Sequence, residues 1–230
     1  MIVGGLMNLT LLDYPEKVAC TVFTKGCNFR CPFCHNATLV NDHDCQDLTV
    51  YEVLEFLKKR KPVLEGVCLT GGEPLIQSDV EEFLTTAKKI GYNVKLDTNG
   101  SFPDRLIALV ENGLIDYCAM DVKNSKSRYA ETVGTNVDIA AIEKSVAYLL
   151  SQDKIPFEFR TTVTANFHDE KSIEQLAEWI ARAPKYYLQK FVDSGDLIDG
   201  TVTGASDEQM HRYLEIAKKY VPAAELRGME

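Results

Sequence analysis

The stretch 18–36 reads Val18-Ala19-Cys20-Thr21-Val22-Phe23-Thr24-Lys25-Gly26-Cys27-Asn28-Phe29-Arg30-Cys31-Pro32-Phe33-Cys34-His35-Asn36. Residues 18–23 form a short apolar run of the kind a buried strand makes, and three cysteines follow directly at a C-x3-C-x2-C spacing. Three thiolates can hold three irons of a [4Fe–4S] cluster and leave the fourth iron without a protein ligand, whereas complete ligation takes a fourth cysteine. A zinc site built from these cysteines with His35 or His43 is the competing reading. Zinc motifs usually come as two spaced pairs, and no second pair is present.

Outward from this strand the same unit repeats. Thr49 and Glu52 make a capping-box pattern, and Val50, Val53, Leu54 and Leu57 then fall on one helical face. Strand-like runs recur at 66–70, 93–96, 115–120, 155–163 and 186–192, separated by amphipathic stretches. Ser78, with Glu81 three positions on, is expected to cap the helix that precedes residue 93, and Ser206 with Gln209 opens a final helix. About six alternations with short connections call for parallel strands, in an open doubly wound sheet or a barrel. Periodicity does not choose between them. At 230 residues one domain is expected: a core over 17–192, an N-terminal extension over 1–16 that alternates weakly, and a C-terminal helical segment over 193–230.

Composition narrows the function. Apolar and charged fractions of 45% and 26% are those of an ordinary soluble globular chain. There is no apolar run of about 18 residues to span a membrane, and residues 1–12 lack the basic-then-apolar pattern of a secretion signal. A net charge of −9 argues against a nucleic-acid partner. Seven cysteines, an odd number without a secretion signal, point to a reducing, cytoplasmic compartment. Cys20, Cys68 and Cys118 lie in apolar runs, where cysteine behaves as a small hydrophobe, while Cys45 sits in a polar loop without an assigned role.

The unusual polar residues stand at the ends of the predicted strands. Thr70-Gly71-Gly72-Glu73-Pro74 follows the second: paired glycines permit close backbone approach, and Glu73 offers an acceptor for an ammonium. Asp97-Thr98-Asn99-Gly100 follows the third and reads by itself as a turn. In Met120-Asp121-Val122-Lys123, Asp121 and Lys123 share one side of an extended segment, as an ion pair or as ligand contacts. Arg160 interrupts an apolar strand, where a buried guanidinium needs an anionic partner. His168 and His211 read as solvated.

These motifs together resemble the radical S-adenosylmethionine (SAM) enzymes, and the extension Cys34-His35-Asn36 resembles the glycyl-radical-enzyme activases among them. The likeness runs from about residue 4 to about residue 191. It implies a partial (β/α)6 barrel of parallel strands in one domain, with Cys27, Cys31 and Cys34 holding a [4Fe–4S] cluster and SAM chelating the open iron. It further implies that Phe33 and His35 meet adenine, that Gly71, Gly72 and Glu73 bind the methionyl amino group, and that Asp97, Asn99, Asp121, Val122 and Lys123 line the SAM site, with or without a cation there. Arg160 would face the SAM carboxylate or Glu73. Gln189 stands where some activases carry histidine, and Asp13 falls in a segment expected near the substrate loop, although Glu16 replaces the customary glycine. The implied reaction is reductive cleavage of SAM and formation of a glycyl radical on a partner enzyme, fed by a flavodoxin- or ferredoxin-type donor. Gly4-Gly5-Leu6, Leu12-Asp13-Tyr14-Pro15 and Phe23-Thr24-Lys25-Gly26-Cys27 most resemble the activating proteins of anaerobic ribonucleoside-triphosphate reductase. Pyruvate formate-lyase activation is close behind, and a small-molecule substrate is the remaining enzyme reading.

Overall fold

The computed structural model describes residues 1–41 and 48–229, so Cys45 and His43 lie outside the described residues. Eight strands form one sheet in unbroken sequential order: β1 (Val3–Thr10), β2 (Ala19–Thr24), β3 (Gly66–Gly71), β4 (Asn93–Thr98), β5 (Tyr117–Asp121), β6 (Phe157–Val163), β7 (Tyr186–Lys190) and β8 (Ala224–Arg227). From β2 to β8 every pairing is parallel, and β1 alone runs antiparallel. Each strand lies beside the next in sequence, the arrangement that short strand–helix–strand connections produce. The six predicted strands are β2 to β7.

The sheet curls without closing. One cavity is lined jointly by Leu12, after β1, and by Arg227 of β8, so the two end strands approach each other while remaining unpaired. The result is a partial barrel.

Helices cover the sheet: α1 (Ala37–Asn41), α2 (Val50–Arg60), α3 (Val80–Ile90), α4 (Pro103–Glu111), α5 (Tyr129–Val133), α6 (Ile139–Ser151), α7 (Glu170–Trp179) and α8 (Asp207–Lys218). Their predicted apolar faces point inward, with Phe83 and Leu84, Ile142 and Val146, and Ile173 and Leu176 all buried. A fully buried Leu or Phe contributes about 1.5–3 kcal/mol, against roughly 0.2–1 for an exposed pair such as Lys144–Asp104. Packing therefore holds the helices in place. The capping boxes Thr49–Glu52 and Ser206–Gln209 are formed. That of α3 is not: Asp79, rather than Ser78, occupies the cap position, and its carboxylate binds the Met1 amino group instead of the helix amides.

Two strands go beyond the six. The weakly alternating opening is the eight-residue β1, and the segment 193–230 adds β8 to its helix. β8 has only four residues, and side-chain contacts fasten it. Arg227 pairs with buried Glu158 of β6 at 3.0 Å and lies 3.2 Å over the Tyr187 ring of β7, while Tyr117 donates to the same Glu158 at 2.7 Å.

The turn after β3 is fastened to the strand that leads into the cysteines: Gly72 N donates to Thr24 O and Glu73 N to Gly26 O, both at 2.9 Å. A Cβ on Gly72 would lie 1.9 Å from Gly26 O, and one on Gly71, at φ +113°, would lie 2.4 Å from Thr24 N. Both glycines are thus required by the approach of the chain to itself. Gly72→Ala is expected to lower the unfolding free energy of the metal-free protein by about 2 kcal/mol or more in urea titrations. Gly113→Ala, with nothing within 4 Å of the added methyl, should cost only about 1 kcal/mol, from its left-handed φ. Equal effects at the two positions would refute the contact argument.

Candidate active site

The parallel strands deliver their ends to one rim, where loop residues of different strands meet. Cys27, Cys31 and Cys34 all line a single cavity of about 460 Å³ at that rim, within the usual range for small-ligand sites. Their loop is braced on every side. Arg30 N donates to Val133 O at 2.9 Å, and Asp199 N to Pro32 O at 3.0 Å. The Arg30 guanidinium donates to Cys27 O at 2.6 Å and Phe29 O at 2.8 Å. Phe29 packs edge-on to Tyr129, Phe33 against Phe167 and His35 against Phe191.

Burial pushes the Cys27 and Cys31 thiols up to about 11 and 12, and raises Cys34 as well. Thiols so desolvated ionise when a metal takes the proton's place. Among the described residues no three His, Cys, Asp or Glu side chains are spaced to hold one ion. Three cysteines that line one cavity can each hold one iron corner of a cluster.

Beside the cysteines runs a line of alternating charges. Lys95 pairs with Asp97, Asp97 with Arg160 at 3.0 Å, Arg160 with Asp121 at 2.8 Å, and Asp121 with Lys123 at 3.0 Å. The register sets this up: Asp121 is the cross-strand partner of Arg160, and Lys95 and Asp97 share a face of β4 at i and i+2. Burial pushes both carboxyls up, but Arg160, with Lys95 at Asp97 and Lys123 at Asp121, outweighs it and holds both below the ordinary carboxylate range. Arg160 and Lys123 bring two cations to the cavity wall among the carboxylates Asp13, Asp97 and Asp121, while Lys95 lies outside that lining.

Comparison with known proteins decides what this arrangement belongs to. Residues 21–180 match the Radical SAM superfamily. The chain is 32% identical, over 98% of its own length and 95% of the relative's, to the "Putative glycyl-radical enzyme activating enzyme MJ1227" of Methanocaldococcus jannaschii. The chain belongs to the radical SAM superfamily. It is also 28% identical to a pyruvate formate-lyase-activating enzyme of Listeria monocytogenes, over 71% of this chain and 69% of that one. In fold it resembles Streptococcus suis SuiB at a TM-score of 0.73 and 16% identity, over 91% of this chain and 48% of SuiB. These relatives indicate an enzyme of the glycyl-radical-activase type, and as a radical SAM protein it takes a [4Fe–4S] cluster and SAM.

In this member of the superfamily Phe33, His35, Gly71, Gly72, Asp97, Asn99, Asp121, Lys123, Arg160, Gln189 and Asp13 all line the cavity with the cysteines. Asn99 directs its amide to Cys27 Sγ at 3.8 Å and to Asn28 Oδ1 at 3.0 Å. Asp13 accepts from the Thr21 hydroxyl.

Three expectations change. Glu73 does not present its carboxylate to the cavity: it is fully buried and accepts from Leu75 N at 3.0 Å, Thr98 Oγ1 at 2.8 Å and Asn99 N at 2.7 Å. Its side chain holds the end of β4 in place, and the partners of Arg160 are Asp97 and Asp121 instead. Val122 is buried with both backbone groups spent, N–H on Arg160 O and carbonyl on the Thr161 hydroxyl, so it lies behind the wall. His168 is not solvated, with 3% exposure and a 2.9 Å contact to Lys123 O; His211 is exposed, as expected. Lys95 was missed, although it breaks an apolar strand just as Arg160 does.

Arg160→Met would remove one cation shared by two carboxylates, leaving Asp97 with Lys95 and Asp121 with Lys123, a loss of about 1.5–3 kcal/mol at pH 7. Because Asp97 and Asp121 are held below the ordinary range, the stability they contribute is present above the unfolded carboxyl value and is lost as pH falls through the folded one. The deficit of the variant should therefore shrink below about pH 4. Urea unfolding of both metal-free proteins from pH 7 to pH 3 checks this, and a pH-independent deficit would contradict the pairing.

Proposed function

We propose that this protein reductively cleaves SAM and installs a glycyl radical on a partner enzyme, an anaerobic ribonucleoside-triphosphate reductase. The observation that supports it most is the meeting, in one cavity, of three desolvated cysteines with the Arg160 and Lys123 cations, each held by a carboxylate. The cysteines would hold three corners of the cluster. When bound, the cluster supplies the electron that splits the C5′–S bond of SAM, yielding methionine and a 5′-deoxyadenosyl radical that takes a hydrogen atom from glycine.

The chain's own residues bind, orient and exclude. Arg160 and Lys123 attract the methionyl carboxylate, and Asp97 and Asp121 keep those cations aimed. The backbone of Gly71 and Gly72 borders the place of the amino group. Phe33 and His35 flank the third cysteine on the adenine side, with Asn99 and Gln189 offering amides to the nucleoside. Asp13 stands where the partner's loop would approach, at the open side of the barrel. In this reading residues 17–192 hold the cofactors, 1–16 and 193–230 flank them, and the electron comes from a flavodoxin- or ferredoxin-type protein. The partner assignment rests on the runs 4–15 and 23–27. Likeness to a pyruvate formate-lyase-activating enzyme over 71% of the chain favours pyruvate formate-lyase as the second reading.

After anaerobic reconstitution and reduction, the protein with SAM should form 5′-deoxyadenosine and raise a glycyl EPR doublet on the reductase. Cys31→Ala should abolish both. A doublet on pyruvate formate-lyase alone would shift the partner, and 5′-deoxyadenosine without a doublet on either would point to a small-molecule substrate. Nucleoside formation by Cys31→Ala would refute the ligand assignment.

A further inference from the structure

Lys123 lies just past the end of β5, yet its backbone is held on both sides. Its N–H donates to Tyr129 Oη at 3.3 Å, and its carbonyl lies 2.9 Å from His168 Nε2. The tautomer follows from the partners. Thr164 N, which can only donate, meets His168 Nδ1 at 3.2 Å, so Nδ1 has no proton and Nε2 carries the one given to the Lys123 carbonyl. Burial pushes this imidazole down to about 4, which keeps it neutral with its single N–H at physiological pH.

The same segment reaches the cysteine loop. Phe167, next to His168, packs on Phe33 with ring centres 6.0 Å apart, and Phe167 O accepts from Asn124 Nδ2 at 2.7 Å. Residues 164–168 thus join the end of β5 to the third cysteine. We infer that His168 is a positioning residue that sets where the Lys123 ammonium stands relative to the cysteine loop, by holding the Lys123 carbonyl. The inference rests on the reading that Lys123 faces the SAM carboxylate. Without the imidazole N–H that carbonyl loses the donor it has here, and the segment shifts toward another partner. Small displacements matter here, since about 1 Å can cost on the order of 10²-fold in rate.

The test is SAM affinity of the reconstituted, reduced protein, read from the change SAM makes in the cluster's EPR spectrum, with urea unfolding run in parallel. His168→Gln keeps an N–H that reaches Lys123 and should bind SAM within about threefold of wild type. His168→Asn is too short to reach Lys123 and should bind about tenfold more weakly, although both variants lose the native ring packing. Equal affinities for the Gln and Asn variants, or an Asn variant with wild-type affinity, would overturn the inference while leaving the SAM site intact. A wild-type spectrum that SAM does not change would overturn the reading of the cavity itself, and this inference with it.

Discussion

A guanidinium held between two carboxylates organises the centre of this barrel. Arg160 on β6 reaches Asp97 on β4 and Asp121 on β5, so three strands are tied by one planar group whose fork matches carboxylate geometry. Such a cluster is a poor way to gain stability, because desolvating ions costs several kcal/mol each. Its use is to place charge. The line holds Arg160 and Lys123 beside the cysteines without waiting for a ligand to order them, and preorganised charge is worth most where water is excluded.

The cysteine loop depends on this frame. Its thiols are desolvated in the metal-free state, and its position is set by backbone hydrogen bonds to α5 and to the segment after β7. The Gly71-Gly72-Glu73 turn serves both sides. The glycines let it press against Thr24 and Gly26, and the Glu73 carboxylate reaches under the rim to hold Thr98 and Asn99. Strand ends, cysteines and charge line are therefore one mechanical unit.

Much of this was legible in the sequence. The strands β2 to β7 are apolar runs with polar residues at their far ends, so both the alternation and the rim could be read. The cysteine spacing and Arg160 stood out because each violates a local rule. What escaped has physical causes. β8 is too short to show a period, and its hold comes from Arg227 meeting Glu158 and Tyr187, contacts between distant residues. The three donors that hold the buried Glu73 carboxylate escaped because a motif tells which residues gather and not which way a carboxylate turns. His168 looked solvated since nothing near it in sequence reveals that a carbonyl 45 residues away needs its N–H. Lys95 carried the same signal as Arg160, and Asp97 two residues on marked its face.

The central claim is that three cysteines hold a four-iron cluster whose remaining corner is kept for SAM. Mössbauer spectroscopy of the ⁵⁷Fe-reconstituted protein tests it most directly, with and without SAM. The account predicts four irons per chain, three with parameters indifferent to SAM and one whose isomer shift moves when SAM is added. Four irons that all ignore SAM, or a chain that retains zinc and takes up no iron, would contradict it.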